Sequence, residues 1–363
     1  MPDPALPTER MVFAGGGTGG HIYPAVAVAQ EISGRRRGLE VVFIGTGSPF
    51  ERRVVESHGF RLLGVSSRGF LGRSAAAKAG ALFWTGVGLL QSIRILWELK
   101  PRVIVGVGGF ASGPVVGAGT LLRIPTMIQE QNYSPGLANR ILARWVDRIA
   151  VSFEETRELL GGRGEVTGNP IRMEFAGVRP KARGAVFSLL VFGGSQGARA
   201  INERMMEALP RLAHLRLGLK IVHMTGEKDR EKVEKAYQEN RLDAQVVAYL
   251  DRMAEEYARA DLVISRAGAT TVAEITACQK AAILIPFPQA AADHQRLNAE
   301  KLRQAGAAVT LQESELDEER LAREIETLAG NPERITAMER AAGRLARPDA
   351  ASRVADLVEE LMA

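Results

Sequence analysis

Short β-branched runs alternate with amphipathic stretches along most of the chain, the pattern of parallel sheets whose strands are joined by crossover helices. Met11–Phe13 reads as a strand and Pro24–Ile32 as the helix after it. Val41–Ile44, Val103–Val107, Thr126–Gln129 and Arg148–Val151 read as further strands. The segment Met173–Arg183 carries Gly177, Pro180 and several charges without a clear period, and reads as a linker. Ser188–Phe192 opens a second series, continued by Ile221–Met224, Val246–Tyr249, Leu262–Ser265 and Ala282–Ile285. The simplest architecture is α/β, with two Rossmann-like, doubly wound domains over 1–173 and 184–349. They would be joined by 174–183 and face each other across a cleft. After Pro348, Ala350–Met362 has the pattern of an amphipathic helix. A helix over 350–363 can pack back on the first domain, although nothing in the sequence excludes the second.

Length agrees with two domains, because 363 residues exceed what one core usually supports. The apolar share of 46% and charged share of 25% are those of a globular protein. A single cysteine, Cys278, excludes an internal disulfide and suits a reducing cytoplasm. The opening MPDPALPTER predicts no secretory leader, since no apolar stretch follows a basic start. The longest uncharged run, Ala79 to Ile93, includes three glycines and is shorter than the roughly 20 apolar residues a bilayer requires. A net charge of +5 fits either nucleic acid or an anionic membrane surface. With no dense Lys/Arg tract interleaved with aromatics, nucleic acid is set aside as a partner.

Candidate chemistry begins with the loops. Both domains open as strand, glycine loop and helix, VFAGGGTGGH and LLVFGGSQGA. Gly15, Gly17 and Gly20 satisfy G-x-G-x-x-G, a loop that brings backbone N–H groups close to a phosphate or sugar. A dinucleotide site also needs an acid at the end of the second strand. That strand ends in Gly45-Thr46-Gly47, and Glu40 lies at its other end, so a nicotinamide cofactor is disfavoured. A second glycine loop, Gly106 to Pro114, follows the Val103–Val107 strand. The pair suits a pyrophosphate, or else serves tight strand-to-helix packing. In the second domain Ser195 adds a hydroxyl to the loop Gly193-Gly194-Ser195-Gln196-Gly197. Gly268 then turns into a helix whose first residues, Ala269, Thr270 and Thr271, present N–H groups that favour an anion. Glu274, about one turn further, is either a ribose-binding carboxylate or a solvated helix charge.

GGGTGGHIYPAVAVA, GGFASGP, EQN, GNPIR, GGSQGAR, RAGATTVAE and DHQRLNA occur in the order seen in the MurG family, which the chain resembles from Gly15 to about Ala299. The resemblance implies a GT-B fold and inverting transfer of N-acetylglucosamine from UDP-N-acetylglucosamine to undecaprenyl-pyrophosphoryl-muramyl-pentapeptide. This is the lipid I to lipid II step of peptidoglycan synthesis, carried out by a peripheral protein on the cytoplasmic face of the membrane. The implied partners are the donor, lipid I, the anionic membrane surface, and cell-wall synthesis and division proteins. On the donor side it implies phosphate contacts from Ser195 and from the helix start Ala269, Thr270 and Thr271, with Val272 and Ala273 also among the residues that bind UDP-N-acetylglucosamine. Glu274 would hold the ribose, Leu250 the uracil, and Arg172 would lie near the nucleotide. Gln295 and Asn132 would hold sugar hydroxyls, with Thr18, Gly19 and Gly20 close to donor and acceptor. Two positions depart from the family pattern: Gln129 stands where His is frequent, and Phe110 where Tyr is frequent.

Charge growing on a departing UDP needs a metal or fixed dipoles. No Asp-x-Asp or His/Asp cluster has metal spacing, whereas a helix N-terminus is at hand, so neither metal nor other cofactor is expected. An attacking hydroxyl also needs a base. His21, where the first glycine loop enters its helix, suits proton transfer. It is equally suited to binding acceptor phosphate or capping backbone, and Glu130 is another candidate base. Phe70, Leu71, Leu82, Phe83, Trp84, Leu89 and Leu90, among Arg68, Arg73, Lys78 and Arg94, read as an apolar patch with a cationic rim for anionic lipid, or as a buried helix with an ordinary rim. Other functions compatible with the motifs are another GT-B UDP-sugar enzyme, such as a glycolipid synthase, an antibiotic glycosyltransferase or a UDP-N-acetylglucosamine 2-epimerase, and a non-catalytic UDP-sugar-binding membrane scaffold.

Overall fold

The apolar runs form two parallel sheets in a computed structural model that describes residues 9–67, 75–194 and 197–363. The first sheet contains β1 (Glu9–Gly15), β2 (Leu39–Gly45), β3 (Arg61–Gly64), β4 (Val103–Gly108), β5 (Thr126–Glu130), β6 (Arg148–Val151) and β7 (Glu165–Val166). Their order is β3-β2-β1-β4-β5-β6-β7. The second contains β8 (Phe187–Phe192), β9 (Leu219–Met224), β10 (Asp243–Val247), β11 (Leu262–Ser265), β12 (Ala281–Leu284) and β13 (Ala308–Thr310), in the order β10-β9-β8-β11-β12-β13. Every residue of β4 is buried, which is why this strand reads as a continuous apolar run without alternation, and β5 is equally buried although it ends in the polar Gln129 and Glu130. The strands without a sequence signal, β3, β7 and β13, have four, two and three residues, too few for a period to show.

The chain divides into two compact units, Met1–Arg172 with Pro348–Ala363, and Met173–Arg347. The C-terminal helix, Ala350–Met362, therefore belongs to the first unit, a choice the sequence left open. Its Val354, Leu357, Val358 and Met362 share one apolar cluster with Ile22, Val26 and Ile32 of the helix Gly19–Arg35. Arg35 fastens the pair, reaching Asp356 at 2.5 Å, Glu359 at 3.0 Å and the Ser352 hydroxyl at 2.6 Å. The segment after residue 172 is pinned to the second unit. It makes a helical turn at Met173–Ala176, buries Phe175 edge-on against Tyr257, and pairs Lys181 with Asp261 at 2.9 Å.

Each sheet reverses its direction of growth once, between β1 and β4 and between β8 and β11. Crossover helices leave to opposite faces at such a point, opening a crevice beyond the carboxyl ends of the two strands. The two glycine-loop strands, β1 and β8, each border one of these points.

Candidate active site at two topological switch points

In the first unit the loops leaving β1 and β4 touch. Gly16 N–H donates to Gly108 O at 3.4 Å, and a Cβ on Gly109 (φ +79°) would stand 2.2 Å from Gly16 O, so only glycine fits. The Glu51 carboxylate lies fully buried behind the first loop. It accepts from Gly17 N–H and Gly47 N–H at 2.7 Å each, from the Thr46 hydroxyl at 2.8 Å and from Ser48 N–H at 3.3 Å. A carboxylate from the helix Pro49–Ser57, which comes after β2, thus engages a loop N–H that the fingerprint would offer to a phosphate. Sequence reasoning passed over Glu51, whose visible signal is a capping box with Ser48.

His21 enters the helix behind Thr18, whose side chain makes no cap bond. Its Nδ1 is 3.0 Å from Gln131 Oε1. The Gln131 Nε2 group donates to Val107 O at 2.9 Å, to Gln129 O at 3.3 Å and to Gln129 Oε1, which leaves Oε1 as the accepting end. Nδ1 therefore carries the proton, and Nε2 holds the lone pair of the neutral ring. Gln129 continues the chain by donating to Asn169 Oδ1 at 3.4 Å, so this departure from the family pattern is built into the His21 support. Glu130 is buried and accepts from Asn132 N–H at 3.0 Å, Asn132 Nδ2 at 3.2 Å, Gly136 N–H at 2.9 Å and Asn139 Nδ2 at 2.9 Å. It shapes the 131–139 loop and fastens the Asn132 amide. Arg172 lies 4.8 Å over the Tyr23 ring, and Tyr23 in turn lies against Gly19. Phe110, the second departure, is exposed, and its carbonyl accepts from the Ser67 hydroxyl at 2.6 Å.

In the second unit the loop after β8 closes with Gly197 N–H on Gly194 O at 2.9 Å, and Ser195 and Gln196 lie outside the described residues. Gly268 caps the helix Ala269–Ala277 without a side-chain bond, so the N–H groups around Ala269, Thr270 and Thr271 give its start a positive potential beside that loop. Val272 is buried and offers backbone only, and Ala273 is half-buried. Glu274 is only 6% exposed, which removes the solvated-charge reading. Gln295 Oε1 accepts from Ala267 N–H at 3.3 Å and Phe287 N–H at 3.0 Å, bracing the loops after β11 and β12 and leaving Nε2 as its donor. Leu250 is in the turn after β10. Because the strands are parallel, all of these positions fall at one edge of the sheet.

Beneath that edge is a buried network with no sequence signature. Asn202, on the helix Arg199–Leu212, donates to Thr225 O at 3.0 Å and Asp229 Oδ2 at 2.8 Å, so its Oδ1 accepts from His223 Nε2 at 3.1 Å. His223 Nδ1 then accepts from Tyr237 Oη at 3.0 Å. Burial lowers the His223 pKa to about 3 and keeps the ring neutral.

The apolar stretch anticipated for lipid divides on the helix Ala75–Leu99. Phe83, Leu90 and Trp97, seven residues apart, are 67%, 69% and 74% exposed on one face. Leu89 packs against the core, and Trp84 lines a cavity. Arg68, Phe70, Leu71 and Arg73, and the side chains of Lys78 and Leu82, lie outside the described residues. Among the described residues no helix is long and apolar enough to cross a membrane, and no group of three His, Cys, Asp or Glu converges as metal ligands would.

Two parallel-sheet Rossmann-like units, each with a glycine loop at its switch point, define the GT-B class of fold. Residues 11–151 match the glycosyltransferase family 28 N-terminal domain, and residues 188–360 its C-terminal domain. A Myxococcus xanthus protein named UDP-N-acetylglucosamine–N-acetylmuramyl-(pentapeptide) pyrophosphoryl-undecaprenol N-acetylglucosamine transferase is 48% identical over 356 residues, 97% of this chain and 93% of its own. The crystal structure of Acinetobacter baumannii MurG has a TM-score of 0.78 at 31% identity, covering 97% of this chain and 99% of that one. The chain belongs to the MurG family of glycosyltransferases. A UDP-N-acetylglucosamine 2-epimerase structure has a TM-score of 0.67 at 14% identity, covering 97% and 94%, a likeness of fold alone.

Proposed function

We propose that this protein transfers N-acetylglucosamine from UDP-N-acetylglucosamine to an undecaprenyl-pyrophosphoryl-muramyl-pentapeptide, the lipid I to lipid II step, inverting the anomeric carbon. The observation that carries this is 48% identity across 97% of the chain to a relative with that name. The second unit binds the donor. The Gly268 helix start and the 193–197 loop take the diphosphate, Glu274 the ribose hydroxyls, Leu250 the uracil through its backbone, and Gln295 Nε2 a sugar hydroxyl. The helix start meets the charge that grows on departing UDP, with no metal required. In the first unit His21 Nε2 takes the proton of the attacking hydroxyl, and Glu130, saturated with hydrogen bonds, does not. Asn132, Arg172 and the Thr18–Gly20 turn position substrate around it. The exposed Phe83, Leu90 and Trp97 stripe, with Arg94 beside it, rests on the anionic cytoplasmic face of the membrane, where cell-wall synthesis and division proteins also assemble.

The test is UDP release from UDP-N-acetylglucosamine with a short-chain muramyl-pentapeptide pyrophosphoryl lipid, set against simple sugars and against donor alone, each with and without excess chelator. Release with the lipid acceptor only, undiminished by chelator, is expected. Donor epimerised without acceptor, or transfer to simple sugars alone, overturns the reading. Loss of turnover in chelator overturns its metal-free part.

A further inference from the structure

The chain leaving β3, Gly64 to Ser67, faces the helix Ala75–Leu99 across a cavity of about 440 Å³, with Thr46 from the end of β2 at its side. We infer that this cavity is the subsite for the proximal, uncharged part of the acceptor's peptide stem, meaning the lactoyl amide and the first peptide bond beyond it. The inference rests on the acceptor assigned above.

The cavity is built by close packing. Trp84, Gly88 and Gln91 are spaced four and three residues apart and so share a helix face. A Cβ on Gly88 would stand 2.2 Å from Ser66 O, so glycine lets the helix meet the loop backbone. Gln91 Oε1 accepts from Ser66 N–H at 2.7 Å, which leaves its Nε2 as a donor at the cavity wall. The Thr46 hydroxyl gives its proton to Glu51, and the Ser67 hydroxyl gives its proton to Phe110 O. Both therefore offer only lone pairs to a ligand. A donor amide set among accepting hydroxyls matches the C=O and N–H of a peptide group, and the Trp84 indole supplies an apolar face for a methyl side chain.

None of the described residues that line it is charged. Against these described walls a pyrophosphate or a free carboxylate loses water without gaining a cation, which favours an uncharged occupant. Position points the same way. Neighbouring strands are about 4.8 Å apart. The cavity is at the ends of β2 and β3, whereas His21 lies against Gly108 at the end of β4, on the other side of β1. That places the cavity two to three strand spacings, about 10–15 Å, from His21. A hexose whose hydroxyl is at His21 does not span that distance. A lactoyl group followed by one or two residues, at about 3.3–3.6 Å per residue, does. Through Thr46 to Glu51 and through Ser67 to Phe110, the cavity walls are also tied to both glycine loops.

The experiment compares two short-chain pyrophosphoryl acceptors, one with the pentapeptide and one ending in a lactoyl carboxylate, on wild-type protein and on Trp84→Ala and Gln91→Leu. Wild type should show a lower KM for the stem-bearing acceptor. Each variant should shrink that preference about five- to tenfold, while UDP still raises the melting temperature as it does in wild type. Equal KM for the two acceptors in wild type, or a preference untouched in both variants, overturns the inference alone. Wild-type protein that transfers to neither acceptor overturns the functional reading and the inference with it. Should Trp84→Ala fail to fold, Gln91→Leu decides, because the Gln91 side chain is exposed and outside the core.

Discussion

The two switch points have the same topology and opposite finish. Between β1 and β4, loop meets loop, the buried Glu51 engages Gly17 N–H, and His21 is held through Gln131 in one tautomer. Between β8 and β11, the helix start at Gly268 has no side-chain cap, and the glycine loop lies beside it. An N–H already bonded to a carboxylate of the protein is not available to a phosphate, and the difference lies in the loops, since neither helix start, behind Thr18 or Gly268, has a side-chain cap. The same strand-loop-helix unit thus differs in its loop: in one copy a carboxylate of the protein holds a loop N–H, and the other is the copy that the proposed function opens to a charged ligand.

This contrast can be broken. The largest effect is expected at the first switch point. His21→Ala should lower kcat about 10²- to 10⁴-fold, the usual worth of a general base, with UDP affinity retained. Steady-state kinetics beside UDP titration reads both, and near-normal turnover would reduce the first switch point to a binding surface. At the open copy, Glu274→Ala should weaken UDP-N-acetylglucosamine binding about 10- to 100-fold, as for losing hydrogen bonds to a charged group. Saturating donor should restore most of kcat, and a kcat loss with unchanged affinity would reverse the assignment of roles.

The smallest effect lies in the support beneath the open copy. His223 is neutral in the folded protein, with its pKa lowered to about 3, while in the unfolded chain it binds a proton below pH 6.5. Its contribution to stability is therefore complete above about pH 6.5 and declines as pH falls from there toward 3, by up to about 1.4 kcal/mol per pH unit. Urea midpoints at pH 5 and pH 7 should lie closer together in His223→Gln than in wild type. An equal separation would mean that other groups set the acid sensitivity of this unit.

Much of this was legible in the chain itself. Mainly apolar runs such as Val103–Val107 and Leu262–Ser265 announced the central strands, because a strand buried on both faces is apolar along most of its length. The glycine loops and the turn at Gly268 announced where backbone would be exposed, and the motif order announced the family. The edge strands β3, β7 and β13 escaped because they are too short to carry a pattern, whereas β10 was read from its end, Val246 and Val247.

What the sequence determined alone was thus local or periodic: which segments are strands, where loops must be glycine, and that residues 350–362 form a helix with one apolar face. Only tertiary structure decided which surface that face covers, since an apolar stripe specifies burial but no partner. Arg35 and the Ile22–Ile32 face supply the partner. Only tertiary structure buried Glu274, set Glu51 behind a loop 34 residues away, and aimed Gln131 at His21 across 110 residues. It also sent Trp84 to a cavity and Phe83 to solvent, although the two are adjacent in sequence. Each of these depends on a contact between distant segments, and a polar side chain shows no sign in sequence of the donor that will meet it.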